Sequence, residues 1–263
     1  MKKILLIGIA ILGVLGLSAC GNNNLPQSLE DIEDRGYMIV GLDDTFAPMG
    51  FRDNQGNLVG FDVDLAKEVG ERLGIEVRFQ PIDWDAKVLE LNAGTIDMIW
   101  NGLTITESRL EEMAFSNPYL ANTQMVMVRQ NSMITSISDL AGLKLGVQIS
   151  SAAEDAVNAS DIVDQLGELV KFDTYNSALL ELQNGTVDAV VIDEIMGRYI
   201  MSQNEGQYKA LEEYFGEEEY GIGFRLEAGA LRDEINAILN EMIEDGTAAS
   251  ISEKWFDEDI FLT

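Results

Sequence analysis

The chain has no histidine and one cysteine in 263 residues. Without histidine there is no Ser-His-Asp triad, no Cys-His dyad and no histidine-ligated zinc. A lone cysteine excludes an internal disulfide, a Cys-x-x-Cys redox pair and a cysteine cluster. Positive charge is scarce too: 17 basic side chains against 46 acidic ones give a formal charge of −29. A surface that negative repels phosphate backbones and anionic headgroups, so no nucleic-acid partner is expected. After the N-terminus no apolar run reaches membrane-span length. The composition that remains, 46% hydrophobic and 24% charged, is globular, and the length suits one large domain or two lobes.

The N-terminus reads as an address. Met1-Lys2-Lys3 precedes an apolar run from Ile4 to Ala19, shorter than the roughly 20 residues a membrane span needs. The order basic, apolar, small reads as a secretory signal peptide over residues 1–19; an anchor helix left in place is the alternative. Leu17-Ser18-Ala19-Cys20 resembles a bacterial lipoprotein signal. That resemblance implies lipidation of Cys20 as the new N-terminus. Gly21-Asn22-Asn23-Asn24 then begins a flexible tether over 20–30. Cleavage removes Lys2 and Lys3 and no acid, which takes the formal charge from −29 to −31. The expected location is extracytoplasmic, anchored to the membrane by acyl chains.

Short apolar strands alternate with amphipathic stretches, which argues for α/β layering. Met38-Ile39-Val40 reads as a first strand, and residues 50–52 and 57–59 as a hairpin around Asp53-Asn54-Gln55-Gly56. Val63, Leu65, Ala66, Val69 and Leu73 recur at helical spacing over 62–73. Further helices are expected over 86–93, 152–158, 177–184, 194–202 and 231–244. One internal repeat stands out: Glu90–Ile99 matches Glu181–Val190 with five identities in ten. Each copy reads as a helix end, a glycine cap and a buried strand. Chance similarity of a common unit is the alternative. A true repeat makes two similar lobes and sets Gly102 opposite Asp193, each just past the carboxyl end of its strand. Open α/β sheets bind ligands there.

A free amino acid offers a carboxylate and an ammonium. Arg109, after Asn101-Gly102-Leu103-Thr104, is the candidate for the carboxylate, because a guanidinium fork makes two parallel charge-assisted bonds. Its other use is a salt bridge in acid-rich surroundings. Asp193 is the candidate for the ammonium, or else the N-cap of a helix beginning at Glu194. Gln148-Ile149-Ser150-Ser151 opens a helix whose free N–H groups suit a carboxylate, while Ser151 with Glu154 fits a capping box. Both can hold together. Phe46 and Trp84 are aromatics in loops after strands, fit for core or for a ligand wall.

Gly60-Phe61-Asp62-Val63-Asp64-Leu65-Ala66 is similar to the signature of solute-binding protein family 3, the amino-acid-binding proteins of ABC importers. The similarity extends through Gly102-Leu103-Thr104-Ile105-Thr106 with Arg109, Ala114–Tyr119, Asp188–Glu194, Tyr220–Phe224 and Lys254-Trp255-Phe256. The resemblance implies an α/β, two-lobed type II periplasmic-binding-protein-like fold with a ligand cleft between lobes. Lobe 1 would comprise 31–121 and 222–263, lobe 2 122–221, with two hinge strands near 120–124 and 218–222. It implies that Arg109 grips the α-carboxylate, aided by Thr104 and the Ser151 N–H. Asp193 and the Gly102 carbonyl would hold the ammonium, and Phe46 and Trp84 would line the side-chain pocket. Asp43 would meet the ligand's distal polar end, and Gln148 completes the set. Ala152 departs from the family pattern, which carries a hydroxyl there.

The expected activity is binding and not catalysis, without metal or cofactor, in a monomer that delivers one amino acid to a membrane permease and its ATPase. An enzyme on the same scaffold, of cyclohexadienyl dehydratase type, is the remote alternative. Asp43, Asp44, Glu90 and Trp84 suit a cationic arginine- or lysine-like ligand through charge pairing and cation–π contact. Glutamine or cystine would use Asp43 as an acceptor instead.

Overall fold

In the computed structural model, which describes residues 28–262, the chain opens with α1 (Leu29–Arg35), whose N-cap Ser28 accepts from the Asp31 N–H. Leu29 and Glu30, placed in the expected tether, instead belong to this helix. The signal run and Cys20 with its expected lipidation lie outside the described residues. β1 (Tyr37–Leu42) is followed by a small antiparallel sheet of β2 (Thr45–Phe46), β3 (Gly50–Arg52) and β4 (Leu58–Val59). Then come α2 (Phe61–Leu73), β5 (Glu76–Pro81), α3 (Lys87–Ala93), β6 (Met98–Thr104), α4 (Glu107–Glu112) and β7 (Ala114–Phe115). β8 (Leu120–Arg129) leads into β9 (Lys144–Gln148), α5 (Ala152–Asn158), β10 (Glu168–Phe172), α6 (Tyr175–Asn184), β11 (Ala189–Asp193) and α7 (Glu194–Gln203). The chain returns along β12 (Tyr208–Phe224) and closes with α8 (Gly229–Glu244) and α9 (Thr247–Phe256). The hairpin and the expected helices form within a few residues of their predicted bounds; α1, α4 and α9 were not predicted.

Among the described residues nine strands share one mixed sheet, ordered β10-β9-β11-β8-β12-β6-β1-β5, with β7 paired to β12. β5-β1-β6 and β10-β9-β11 are parallel triplets with the same winding. The internal repeat is therefore structural, and its equivalence reaches single hydrogen bonds. Gly94 and Gly185 end their helices in the left-handed conformation, at φ 73° and 80°. The Asp97 carboxylate accepts from the Ile39 N–H at 2.7 Å, and its counterpart Asp188 accepts from Lys144 N–H at 3.0 Å. Each aspartate thus ties the start of its third strand to the first strand of its triplet. β6 and β11 are buried along their whole length, which is why both read as continuous apolar runs.

This is a two-lobed α/β fold with one parallel triplet per lobe. Among the described residues, only β8 and β12 run between the triplets, antiparallel, with Leu120 opposite Tyr220, Ala121 opposite Glu219 and Asn122 opposite Glu218. The two segments expected as hinges thus lie side by side.

Candidate functional site

One pocket is lined by Asp43, Phe46, Trp84, Gly102, Thr104, Arg109, Gln148, Ser151 and Asp193, all nine residues singled out in the sequence, together with Asn101, Ala152 and Tyr175. The first six come from the β1–α4 half and the next three from the β9–β11 half. Asp43 follows β1, Phe46 sits in β2 and Trp84 in a 3-10 turn before α3, so neither aromatic is in a plain loop. Gly102 also departs from expectation: it lies inside β6, not beyond its end, and kinks the strand at φ 57°. A Cβ there would come within 2.9 Å of the Phe46 and Tyr220 rings, so only glycine fits.

Arg109 is 5% exposed on α4, behind its N-cap Thr106. Its guanidinium donates to the Thr104 carbonyl at 2.9 Å and, across the cleft, to the Ser150 carbonyl at 3.2 Å. Among the described residues it forms no salt bridge, so the reading of Arg109 as a structural ion pair is not supported. Its burial disfavours the charged form and lowers its pKa. Beside it the buried Lys87 ammonium donates to the same Ser150 carbonyl at 2.8 Å and to Trp84 O at 3.1 Å. Desolvation, with the Arg109 charge adding to it, pulls Lys87 down to about 7. Ser151 does cap α5, accepting the Glu154 N–H at 3.1 Å and donating to Gln148 O at 2.7 Å. The reciprocal bond is shifted by one residue: the Glu154 carboxylate takes the Ser150 N–H.

Asp193 occupies the N-cap position of α7 but its side chain does not cap the helix. It turns to the cavity instead, where Tyr220 Oη, Asn122 Nδ2 and Gln124 Nε2 donate to Oδ1 at 2.7, 3.0 and 3.0 Å. The same Asn122 and Gln124 amides donate to Glu218, as does Thr104 Oγ1 at 3.0 Å. Two carboxylates therefore share one pair of amides. Burial raises both pKa values, and the nearby Asp193 charge helps push Glu218 up to about 7. A cation placed here would relieve both.

At the other end, Gln148 Nε2 reaches Asp43 Oδ2 across the cleft at 2.9 Å, while Asn101 Oδ1 accepts the Asp43 N–H. The Phe46 and Tyr175 rings meet at 5.9 Å between centroids. Outside them opens a mouth lined by Asp43, Asp44, Asp83, Asp85, Glu90 and Asp173 around Trp84.

Asn101, Lys87, Tyr175 and Glu218 escaped the sequence reading because each is tied to the site by a partner distant in sequence. Asp62 was visible as part of a motif, but its task was not. Buried and pushed up to about 7 by desolvation, it accepts the Gly102 N–H at 2.7 Å and the Tyr119 hydroxyl, and so pins the kink of β6. Among the described residues, no group of three or more acidic or cysteine side chains is placed to hold a metal ion, and no helix is long and apolar enough to cross a membrane.

Residues 38–258 match the family model of bacterial extracellular solute-binding proteins, family 3. The arginine-binding extracellular protein of Bacillus subtilis (strain 168) is 29% identical over 259 residues, covering 97% of this chain and 98% of that protein. The L-cystine-binding protein of the same strain is 30% identical over 273 residues, covering 99% of each. A substrate-binding protein of an ABC uptake transporter from Streptococcus pneumoniae, solved with bound histidine, superposes with a TM-score of 0.86 at 35% identity, covering 89% of this chain and 98% of that one. With a model matched over most of the chain and a site assembled from both lobes, the chain belongs to the bacterial extracellular solute-binding proteins of family 3.

Proposed function

We propose that this protein is the extracytoplasmic amino-acid-binding component of an ABC importer, that it closes around one L-amino acid with a basic side chain, and that it hands this ligand to a membrane permease. The observation that carries the reading is one pocket lined by Arg109 from one lobe and by Asp193 from the other. A guanidinium fork complements the α-carboxylate, and an aspartate backed by Glu218 complements the α-ammonium. Thr104, the Gly102 carbonyl and the helix start at Ser151 complete these two poles. Phe46 and Trp84 offer aromatic faces to the side chain, and Asp43 offers a carboxylate oxygen to its far end.

The preference for a basic side chain rests on charge. Asp43 and five further carboxylates line the mouth around Trp84, and a net −29 field draws cations toward it. The relatives named above bind arginine, cystine or histidine, so the three ligands differ at the far end while sharing the zwitterion. The hinge in this reading is the paired stretch of β8 and β12, with lobe 1 formed by 31–121 and 222–263 and lobe 2 by 122–221. Cys20 would tether the protein to the membrane by acyl chains.

Calorimetric titration with the twenty amino acids, ornithine and cystine tests the reading. Binding of arginine or lysine ahead of glutamine and cystine is expected. Cystine or glutamine binding tightest overturns the basic preference, and no binding at all overturns the amino-acid reading.

A further inference from the structure

Tyr175 stands at the first turn of α6 with 1% of its surface exposed, and it lines the cavity. Among the described residues its hydroxyl has no hydrogen-bond partner. That is unusual for a buried phenol, because an unpaired buried donor keeps the full cost of its lost hydration. Its nearest polar neighbours are the Ser151 hydroxyl and the Asp193 carboxylate. The Ser151 hydroxyl already donates to Gln148 O and accepts from Glu154 N–H. Asp193 Oδ1 already accepts three donors. Both residues nevertheless lie close enough to act on the phenol, which burial and the Asp193 charge keep in its neutral, donating form. The ring is fixed from the opposite lobe by Phe46 at 5.9 Å, so the hydroxyl cannot swing out to solvent without opening the cleft.

We propose that Tyr175 is a ligand-binding residue whose hydroxyl bonds the main-chain zwitterion of the bound amino acid, between the carboxylate pole at Ser151 and the ammonium pole at Asp193. The inference rests on the amino-acid reading above and adds to it a second device. The closed cleft buries a polar group that has no partner of its own among the described residues and that a ligand would satisfy. Ligand binding and closure are thereby coupled, since the closed form is favoured by more when the hydroxyl is paired. Because the zwitterion is common to all amino acids, Tyr175 would set affinity without setting the choice among side chains.

Tyr175→Phe removes the oxygen and keeps the ring. Titrated against the ligands that the wild-type chain binds, the variant should lose about tenfold in affinity for each of them by a similar factor, as expected for one hydrogen bond to a charged group. Its ligand-free Tm should equal or exceed the wild-type value, because an unpaired buried hydroxyl contributes nothing to the empty protein. Unchanged affinity overturns the inference, and so does a loss confined to one side-chain type. A drop in ligand-free Tm overturns it as well, since the hydroxyl would then be structural. Wild-type protein that binds no amino acid overturns the underlying reading and this inference with it, an outcome distinct from normal wild-type binding with an unaffected variant.

Discussion

The Lys87 ammonium donates across the cleft to the Ser150 carbonyl at 2.8 Å, and the same oxygen accepts from Arg109 Nη2 at 3.2 Å. Ser150 is a non-glycine residue at φ 56°, a conformation that carries strain and persists where its surroundings hold it. Two buried cations from one lobe thus meet a single carbonyl of the other. Desolvation, with their mutual repulsion adding to it, draws Lys87 down to about 7.

This geometry makes Lys87 a closing contact rather than part of the ligand cradle. Lys87→Met keeps the buried stem and removes the donor. The closed form is then less populated, so apparent affinity should fall several-fold, with the preference among amino acids unchanged. Calorimetry across the ligand panel checks both statements.

Arg109 is expected to matter far more. Losing one member of a desolvated charge pair costs about 2–5 kcal/mol, so Arg109→Ala should weaken binding by tens- to thousands-fold while the thermal unfolding of the ligand-free protein changes little. Affinity near the wild-type value would remove Arg109 from the carboxylate site.

Glu218 should make binding depend on pH. Burial and the Asp193 charge raise its pKa to about 7, so the empty site holds a proton below that value. A ligand ammonium favours the ionised carboxylate, so binding at low pH must expel the proton. Affinity should therefore rise from pH 5.5 to about 7 and then level off. Lys87 changes charge over the same range, and Arg109 stays charged, in wild type and variant alike. The difference between wild type and Glu218→Gln isolates Glu218: the variant's profile should be flatter. Parallel profiles would contradict this assignment.

Asp62 bears on stability with a definite sign. Its folded pKa, about 7, lies above the ordinary 3.8, so the folded chain holds a proton that the unfolded chain has released. Stability from this group is highest below about pH 4, declines as pH rises toward 7 and is constant above. Thermal unfolding from pH 4.5 to 8 should show the wild type losing Tm relative to Asp62→Asn as pH increases, until the difference plateaus near neutrality. A pH-independent difference would mean that Asp62 is ionised in the fold.

Local chemistry carried much of the fold into the sequence. Glycine caps at Gly94 and Gly185, the continuous apolar runs of β6 and β11 and the helical period of α2 are all set by neighbours within a few residues, so the repeat and the α/β class were legible. The nine lining residues were legible for different reasons: Gly102, Thr104, Arg109 and Asp193 sit in motifs whose order along the chain resembles a known family, and Asp43, Phe46, Trp84, Gln148 and Ser151 were read from their places in that resemblance and at strand ends. Arg109 and Asp193 also had a chemical rationale of their own. Each had a structural alternative that spacing could not dismiss, and the fold answered it. Arg109 makes no salt bridge among the described residues, and the Asp193 side chain does not cap its helix but faces the cavity.

What required three dimensions is every relationship between residues far apart in the chain. Sequence determined that the protein has no histidine chemistry, no internal disulfide and a strongly negative charge, because these follow from composition alone. Only the tertiary structure decided that Lys87 meets Ser150, that Asp193 and Glu218 share Asn122 and Gln124, that Asp62 pins Gly102 and that the Tyr175 hydroxyl is left unpaired. The physical reason is that desolvation and hydrogen-bond geometry depend on distance in space. A carboxylate or phenol acquires its altered proton affinity and its function only from what packing brings beside it.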